Sequence, residues 1–170
     1  MTERGDAPLL RAATPEDLPA IAAIYNATIP GRMVTAELQP VTVESRRAWF
    51  DAHQAANRPI WVLDDAGMIT AWLSFDQFSP RAAYDGTAMI AVYVAESHRR
   101  RNLGRRLVTT AIEQAPSLGL HTLLGYIFAH NEPSLRLFEK LGFMRWGHYP
   151  RVAVLDGIER DLIVVGRRVL

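Results

Sequence analysis

Six consecutive residues, Arg99-Arg100-Arg101-Asn102-Leu103-Gly104, carry the most suggestive chemistry of this chain. An amphipathic pattern begins at Leu103, so a turn holding three guanidinium groups runs straight into a helix N-terminus. The first helical turn leaves backbone N–H groups unpaired at the positive end of the macrodipole, and a loop feeding into it can hold a diphosphate. Inward-turned amides form such a nest only where some residues accept unusual backbone angles, and Asn102 and Gly104 are the ones suited to that. Composition excludes other chemistries. Without cysteine there is no thiol nucleophile, thiolate metal site or disulfide, and the five scattered histidines form no H-x-x-x-H pair, so no metal is expected.

The elements that must position this turn follow from periodicity and punctuation. Residues 1–8 are polar and expected to be flexible, with a single domain over 9–170. Leu9 to Ala12 reads as a first strand. Thr14-Pro15-Glu16-Asp17 starts a helix to about Ala27, with Asp17 completing a capping box. The stretch Thr28 to Thr42 is a loop or short helix, Val43 to Asn57 a second helix anchored by Trp49 and Phe50. Ile60 to Leu63 and Ile69 to Phe75 flank the turn Asp64-Asp65-Ala66-Gly67 as a hairpin with a longer loop, and Thr87 to Val94 is the strand leading to the arginine turn. The third helix ends at Pro116 and Gly119. A strand over Leu120 to Ala129, a helix capped by Asn131, and strands Phe143 to Val154 and Ile158 to Val169 complete the chain. This order makes an α/β domain with a mixed sheet.

Charge and hydropathy limit the partners. A net charge of +1 is too mild to indicate nucleic acid, and no aromatic residues interleave with the arginines. No apolar run has the length of a membrane span, so the protein is expected in the cytoplasm, with no membrane partner.

Arg99 to Gly104 resembles the Q/R-x-x-G-x-G/A signature of the GCN5-related N-acetyltransferases (GNAT), with Asn102 where the first glycine is usual. Asn131-x-x-Ser134-x-x-x-Phe138-x-x-x-Gly142-Phe143 resembles the second signature of that superfamily and stands in the right order. Over nearly its full length the chain is similar to the phosphinothricin and methionine sulfoximine acetyltransferase group. The similarity is carried by Ala23-Ile24-Tyr25-Asn26, Arg46-Arg47-Ala48-Trp49-Phe50, Arg81-Ala82-Ala83-Tyr84-Asp85 and Val92-Tyr93-Val94.

The resemblance implies a mixed, mostly antiparallel sheet of about seven strands, splayed at the middle and flanked by about four helices. It implies acetyl-CoA as co-substrate, a small amino-acid-like amine as acceptor, and a homodimer. The strand backbone at Val92, Tyr93 and Val94 would hold pantetheine. The amides of Arg100, Arg101, Asn102, Leu103, Gly104 and Arg105, with Arg99 adding charge, would hold the pyrophosphate. Asn131, Ser134 and Phe138 would complete the cofactor side, and Thr35, Glu37, Arg81 and Tyr84 the acceptor side.

Two positions depart from the pattern. Met89 stands where the group commonly has a glutamate, and Phe138 where the superfamily has a proton-donating tyrosine. Either another side chain or a water relay moves the proton, or the acceptor differs. Tyr93, His130, His148 and Glu37 are the catalytic candidates. Peptide N-terminal acetylation and a catalytically impaired acyl-CoA-binding module remain as alternative functions.

Overall fold

Alternation along two central strands decides which face of the sheet each side chain meets. In the computed structural model, which describes residues 7–56 and 58–170, β3 (Met68–Gln77) sends Ala71, Leu73 and Phe75 to one face and Thr70, Trp72, Ser74 and Asp76 to the other. Its neighbour β4 (Thr87–Val94) does the same, with Ala88, Ile90, Val92 and Val94 on the first face and Tyr93 on the second.

Helices α3 (Leu103–Gln114) and α4 (Glu132–Lys140) cover the first face, where Leu107, Val108 and Ala111 are completely buried. Helices α1 (Leu18–Thr28) and α2 (Val43–Ala55) cover the second with Leu18, Ile21, Tyr25 and Phe50. The sheet has seven strands in the order β1-β2-β3-β4-β5-β7-β6, with β1 (Leu9–Ala12), β2 (Ile60–Asp65), β5 (Thr122–Phe128), β6 (Met144–Leu155) and β7 (Ile158–Arg168). Every neighbouring pair is antiparallel except β4 and β5.

The start signal before α1 acts as expected. The Asp17 carboxylate accepts from the Thr14 backbone N–H at 2.8 Å, and Arg11 bridges Asp17 and Asp64 at 2.7 and 3.0 Å, tying β1, the helix start and β2 together. The stretch between Thr28 and Thr42 contains no regular element.

The β2–β3 hairpin corrects the sequence reading. Its strands extend through Asp65 and Met68, leaving a two-residue turn rather than a longer loop. Ala66 and Gly67 both have positive φ, 51° and 91°, and the Asp64 side chain accepts from the Gly67 N–H at 2.6 Å. That turn matches the twist of the strands, and a register shift at Leu63/Asp64 absorbs the extra residue. β3 also runs two residues past Phe75, to Gln77. Helix α2 ends at Ala55, and of the N-terminal stretch expected to be flexible, residues 1–6 lie outside the described residues.

Candidate active site

Strands β4 and β5 pair over only three positions, Thr87 with Thr122, Ala88 with Leu123 and Met89 with Leu124, and then separate. The pair is anchored at its closed end by Gly86, whose carbonyl accepts from the His121 and Thr122 amides at 2.9 and 3.2 Å. A Cβ at that glycine would lie 2.2 Å from the His121 ring, so the close approach needs glycine. Beyond Met89 the edge of β4 from Ile90 to Val94 is unpaired on its β5 side, while its other edge stays bonded to β3.

A cavity of about 390 Å³ occupies this gap. Met89, Val92, Tyr93, Gly125, Ile127 and Phe138 line its walls, and Thr35 and Val152 close it from the α1–α2 loop and from β6. Two clamps hold that loop in place. The Asn26 side chain exchanges two hydrogen bonds with the Val41 backbone, at 2.8 and 2.9 Å. Arg32 pairs with Asp156 at 2.8 Å, and its carbonyl lies 2.8 Å from His130 Nε2.

At the open end of β4 the chain passes through Glu96–His98 and the arginine turn into α3. Asn102 is left-handed as expected, with φ 59° and ψ 17°. The second left-handed residue is Arg100, at φ 63°, and not Gly104, which lies inside the first turn of α3. Gly104 has 3.6 Å between a hypothetical Cβ and Val94, which is ordinary packing distance. The left-handed pair is therefore Arg100 and Asn102, two residues earlier than the expected Asn102 and Gly104. Arg99, Arg100, Arg101 and Arg105 are exposed, and among the described residues none of the four forms a salt bridge.

The remaining expected residues are distributed unevenly. Asn131, Ser134 and Phe138 line the cavity, and Asn131 also caps α4 by accepting from the Ser134 N–H at 3.3 Å. Thr35 lines it too, its hydroxyl hydrogen-bonded to that of Tyr25 at 2.5 Å. Glu37, Arg81 and Tyr84 are exposed and do not line it, and Tyr84 meets Phe78 edge-on instead. Of the catalytic candidates only Tyr93 reaches the cavity. Its ring stacks on Trp72 at 4.5 Å and meets Tyr25 edge-on at 5.2 Å, and burial holds the phenol well above its usual pKa. His130 stacks on Phe128, and His148 pairs with Asp161 at 2.7 Å on the exposed side of β6.

The charge in the cavity belongs to a residue the sequence reading passed over. Asp76 lines it from β3, directly opposite Met89 in the β3–β4 register. Its carboxylate accepts from Ser74 Oγ at 2.7 Å and Trp49 Nε1 at 3.4 Å, and His53 Nε2 lies 3.1 Å away in an off-line ion-pair contact. His53 Nδ1–H donates to the Trp49 carbonyl at 2.8 Å. The Trp49 carbonyl can only accept, so Nδ1 carries a proton, while Nε2 is buried without a hydrogen-bond partner and meets the carboxylate only as an ion-pair contact. Burial opposes charge on both groups, yet their pairing prevails: the His53 pKa lies above and the Asp76 pKa below its ordinary value. The signal for His53 was the α2 stripe Arg46, Trp49, Phe50, His53; the signal for Asp76 was its phase with Thr70, Trp72 and Ser74.

Residues 20–143 match the Acetyltransferase (GNAT) family. This chain belongs to that family. It is an N-acetyltransferase, and its seven-stranded, four-helix mixed sheet is the fold the resemblance implied. It is 46% identical over 159 residues to YwnH of Bacillus subtilis, provisionally named a phosphinothricin acetyltransferase, covering 93% of this chain and 97% of YwnH. It is 35% identical to the L-methionine sulfoximine/L-methionine sulfone acetyltransferase of Pseudomonas paraeruginosa, covering 90% of each. The solved structure of YncA from Salmonella typhimurium with its cofactor acetyl-CoA superposes with a TM-score of 0.90 at 29% identity, covering 97% of this chain and 95% of YncA.

Proposed function

We propose that this acetyltransferase moves the acetyl group of acetyl-CoA to the α-amino group of a small amino-acid-like acceptor of the methionine sulfoximine or phosphinothricin type. The observation that carries this reading is the unpaired β4 edge from Ile90 to Val94, opening onto a cavity and ending at the N-terminus of α3. Pantetheine amides pair with the free backbone groups of β4 between Val92 and Val94 as an added strand would, and the pyrophosphate takes the amides of Arg100 to Arg105 with Arg99 to Arg101 around it. Phe138, 3% exposed and T-stacked on Phe143 at 4.9 Å, supports the apolar wall with Asn131 and Ser134 beside it.

The acceptor enters beside Thr35. The Asn26 and Arg32 clamps hold the α1–α2 loop against the cavity, which suits a small molecule better than a peptide backbone. With no cysteine to carry acetyl, the amine attacks the thioester directly in a ternary complex. Holding the two reactants together supplies much of the rate, and a backbone N–H at the splayed strand supplies the oxyanion donor.

The test is release of free CoA thiol on mixing the protein with acetyl-CoA and L-methionine sulfoximine, phosphinothricin or the common L-amino acids. Turnover with one or more of these is expected; idleness with all of them sinks the reading. Acetylation of peptide N-termini but not of free amino acids would favour the peptide alternative. The acting form is proposed to be a cytoplasmic homodimer, since β6 exposes Met144, Trp146, Tyr149, Val152 and Val154. Sedimentation of the same material at monomer mass would reject that part.

A further inference from the structure

Among the described residues lining the cavity, three side chains can change charge: Asp76, Tyr93 and Tyr126. Both phenols are pushed above their usual pKa by burial, so at neutral pH they can donate a proton but cannot take one. Acetyl transfer to an amine cannot finish without an acceptor for the nitrogen's proton. The geometry points to Asp76, held on β3 opposite Met89 and oriented by His53, as the group that receives this proton. This inference rests on the acetyl-transfer reading above and assigns the proton step within it.

The step balances without a co-reactant. The amine lone pair attacks the thioester carbonyl carbon, forming C–N while the carbonyl π pair moves onto oxygen. The proton on nitrogen passes to the Asp76 carboxylate. Collapse of the oxyanion breaks C–S and expels the thiolate, which takes the proton back from Asp76. Nothing is oxidised or reduced, and the carboxylate is regenerated.

The surroundings fit this task better than a structural one. A buried ion pair is weak support for a fold, because burial costs about as much as the pairing returns. Here Asp76 lines the cavity, its side chain 31% exposed, while that of its partner His53 is 8% exposed. The groups facing Asp76 are His53 and Trp49 from α2 and Ser74 from β3, with the Tyr93 phenol of β4 at longer range, and the Arg46 guanidinium of α2 acts on His53. His53 also borders a second cavity of about 120 Å³ with Gln54, Arg58 and Pro59. His53 is a positioning residue: its charge keeps Asp76 ionised and its Nδ1–H bond to the Trp49 carbonyl fixes the ring beside the carboxylate.

Steady-state kinetics on four variants, with acetyl-CoA and whichever acceptor the wild type acetylates, test the assignment. Asp76→Asn is expected to lower kcat by about 10²–10⁴-fold, with KM for acetyl-CoA changed less than threefold. His53→Gln is expected to lower kcat less and to move the acid limb of the kcat/KM profile to higher pH, because Asp76 loses the cation that keeps it ionised. A purely structural role would leave that limb where it is. Paired residues on one face of antiparallel strands have Cβ atoms about 4.5–5.5 Å apart, so a glutamate at 89 can reach the space of the Asp76 carboxylate. D76A/M89E is therefore expected to exceed D76A by at least about tenfold in kcat, and this comparison decides the matter if D76N melts well below wild type. D76N within threefold of wild-type kcat, an unmoved acid limb in His53→Gln, or equal activity of D76A/M89E and D76A overturns the assignment. A wild type that acetylates no amine overturns the reading beneath it instead.

Discussion

The two faces of the sheet are built from the same strands and carry different loads. Under α3 and α4 the side chains are almost all aliphatic or phenylalanine, with Leu73, Phe75, Leu107, Val108 and Leu123 completely buried. Under α1 and α2 the same strands present Thr70, Trp72, Ser74, Asp76 and Tyr93, packed against Tyr25, Trp49 and His53. One face buys stability by burial of groups that need no partner. The other holds indole, phenol, hydroxyl and carboxylate groups that must each be satisfied, and it is the face whose edge opens into the cavity. A single strand with period two thus serves as a wall on one side and as the floor of a reaction site on the other.

The largest effect that could break this division comes from the aliphatic face. Leu107→Ala removes a side chain with no exposure and leaves a cavity between α3 and β3 and β4; a loss of about 2–5 kcal/mol in unfolding free energy is expected. Activity per folded molecule at low temperature should stay near wild type. A loss of kcat larger than the loss of folded protein would show that the two faces are not separable.

Thr35→Val addresses the other side. The substitution keeps the shape of the side chain but strips the buried Tyr25 hydroxyl of its partner, at a cost of about 1–3 kcal/mol. Since Thr35 also lines the cavity, KM for the acceptor is expected to rise several-fold with KM for acetyl-CoA unchanged. A variant with lowered stability and unchanged acceptor KM would move Thr35 from the site to the scaffold.

How much of this was legible beforehand differs between the faces in the same way. The aliphatic face announces itself through Leu103, Leu107, Val108 and Ala111, and the strand before it through an unbroken apolar run, so β4 and the start of α3 were placed to within a residue, while α3 ends at Gln114, short of Pro116. The left-handed state of Asn102 also follows from residue type, whereas Arg100 in that state does not, because arginine has no intrinsic preference for it. Asp76 was hidden for a physical reason. A charged residue ends an apolar run, and so the strand appears to stop at Phe75, although the sheet continues because Asp76 and Gln77 pair with Met89 and Ala88. His53 was hidden because its partner lies 23 positions along the chain on another element. Local pattern shows which residues are apolar together; it does not show which polar groups meet.

The smallest expected effect is also the sharpest on the polar face, because it is a sign. The Asp76 carboxylate lies below its ordinary pKa of 3.8, so its contribution to stability is present above that value and lost as pH falls through the depressed one. His53 lies above its ordinary 6.5, so its contribution is present below 6.5 and lost as pH rises through the elevated value. The pair therefore adds most between pH 3.8 and 6.5. In Asp76→Asn burial is opposed only by the Trp49 carbonyl, and Arg46 acts with burial, so the imidazole pKa should fall below 6.5. Nitrogen-15 spectra of the ring report that fall directly, and urea melts report its consequence. Between pH 8 and 5.5 the difference in unfolding free energy between wild type and variant should widen, by an amount on the order of 1 kcal/mol. A difference that stays flat would mean that His53 is neutral beside Asp76, and the face under α1 and α2 would then hold hydrogen bonds but no ion pair.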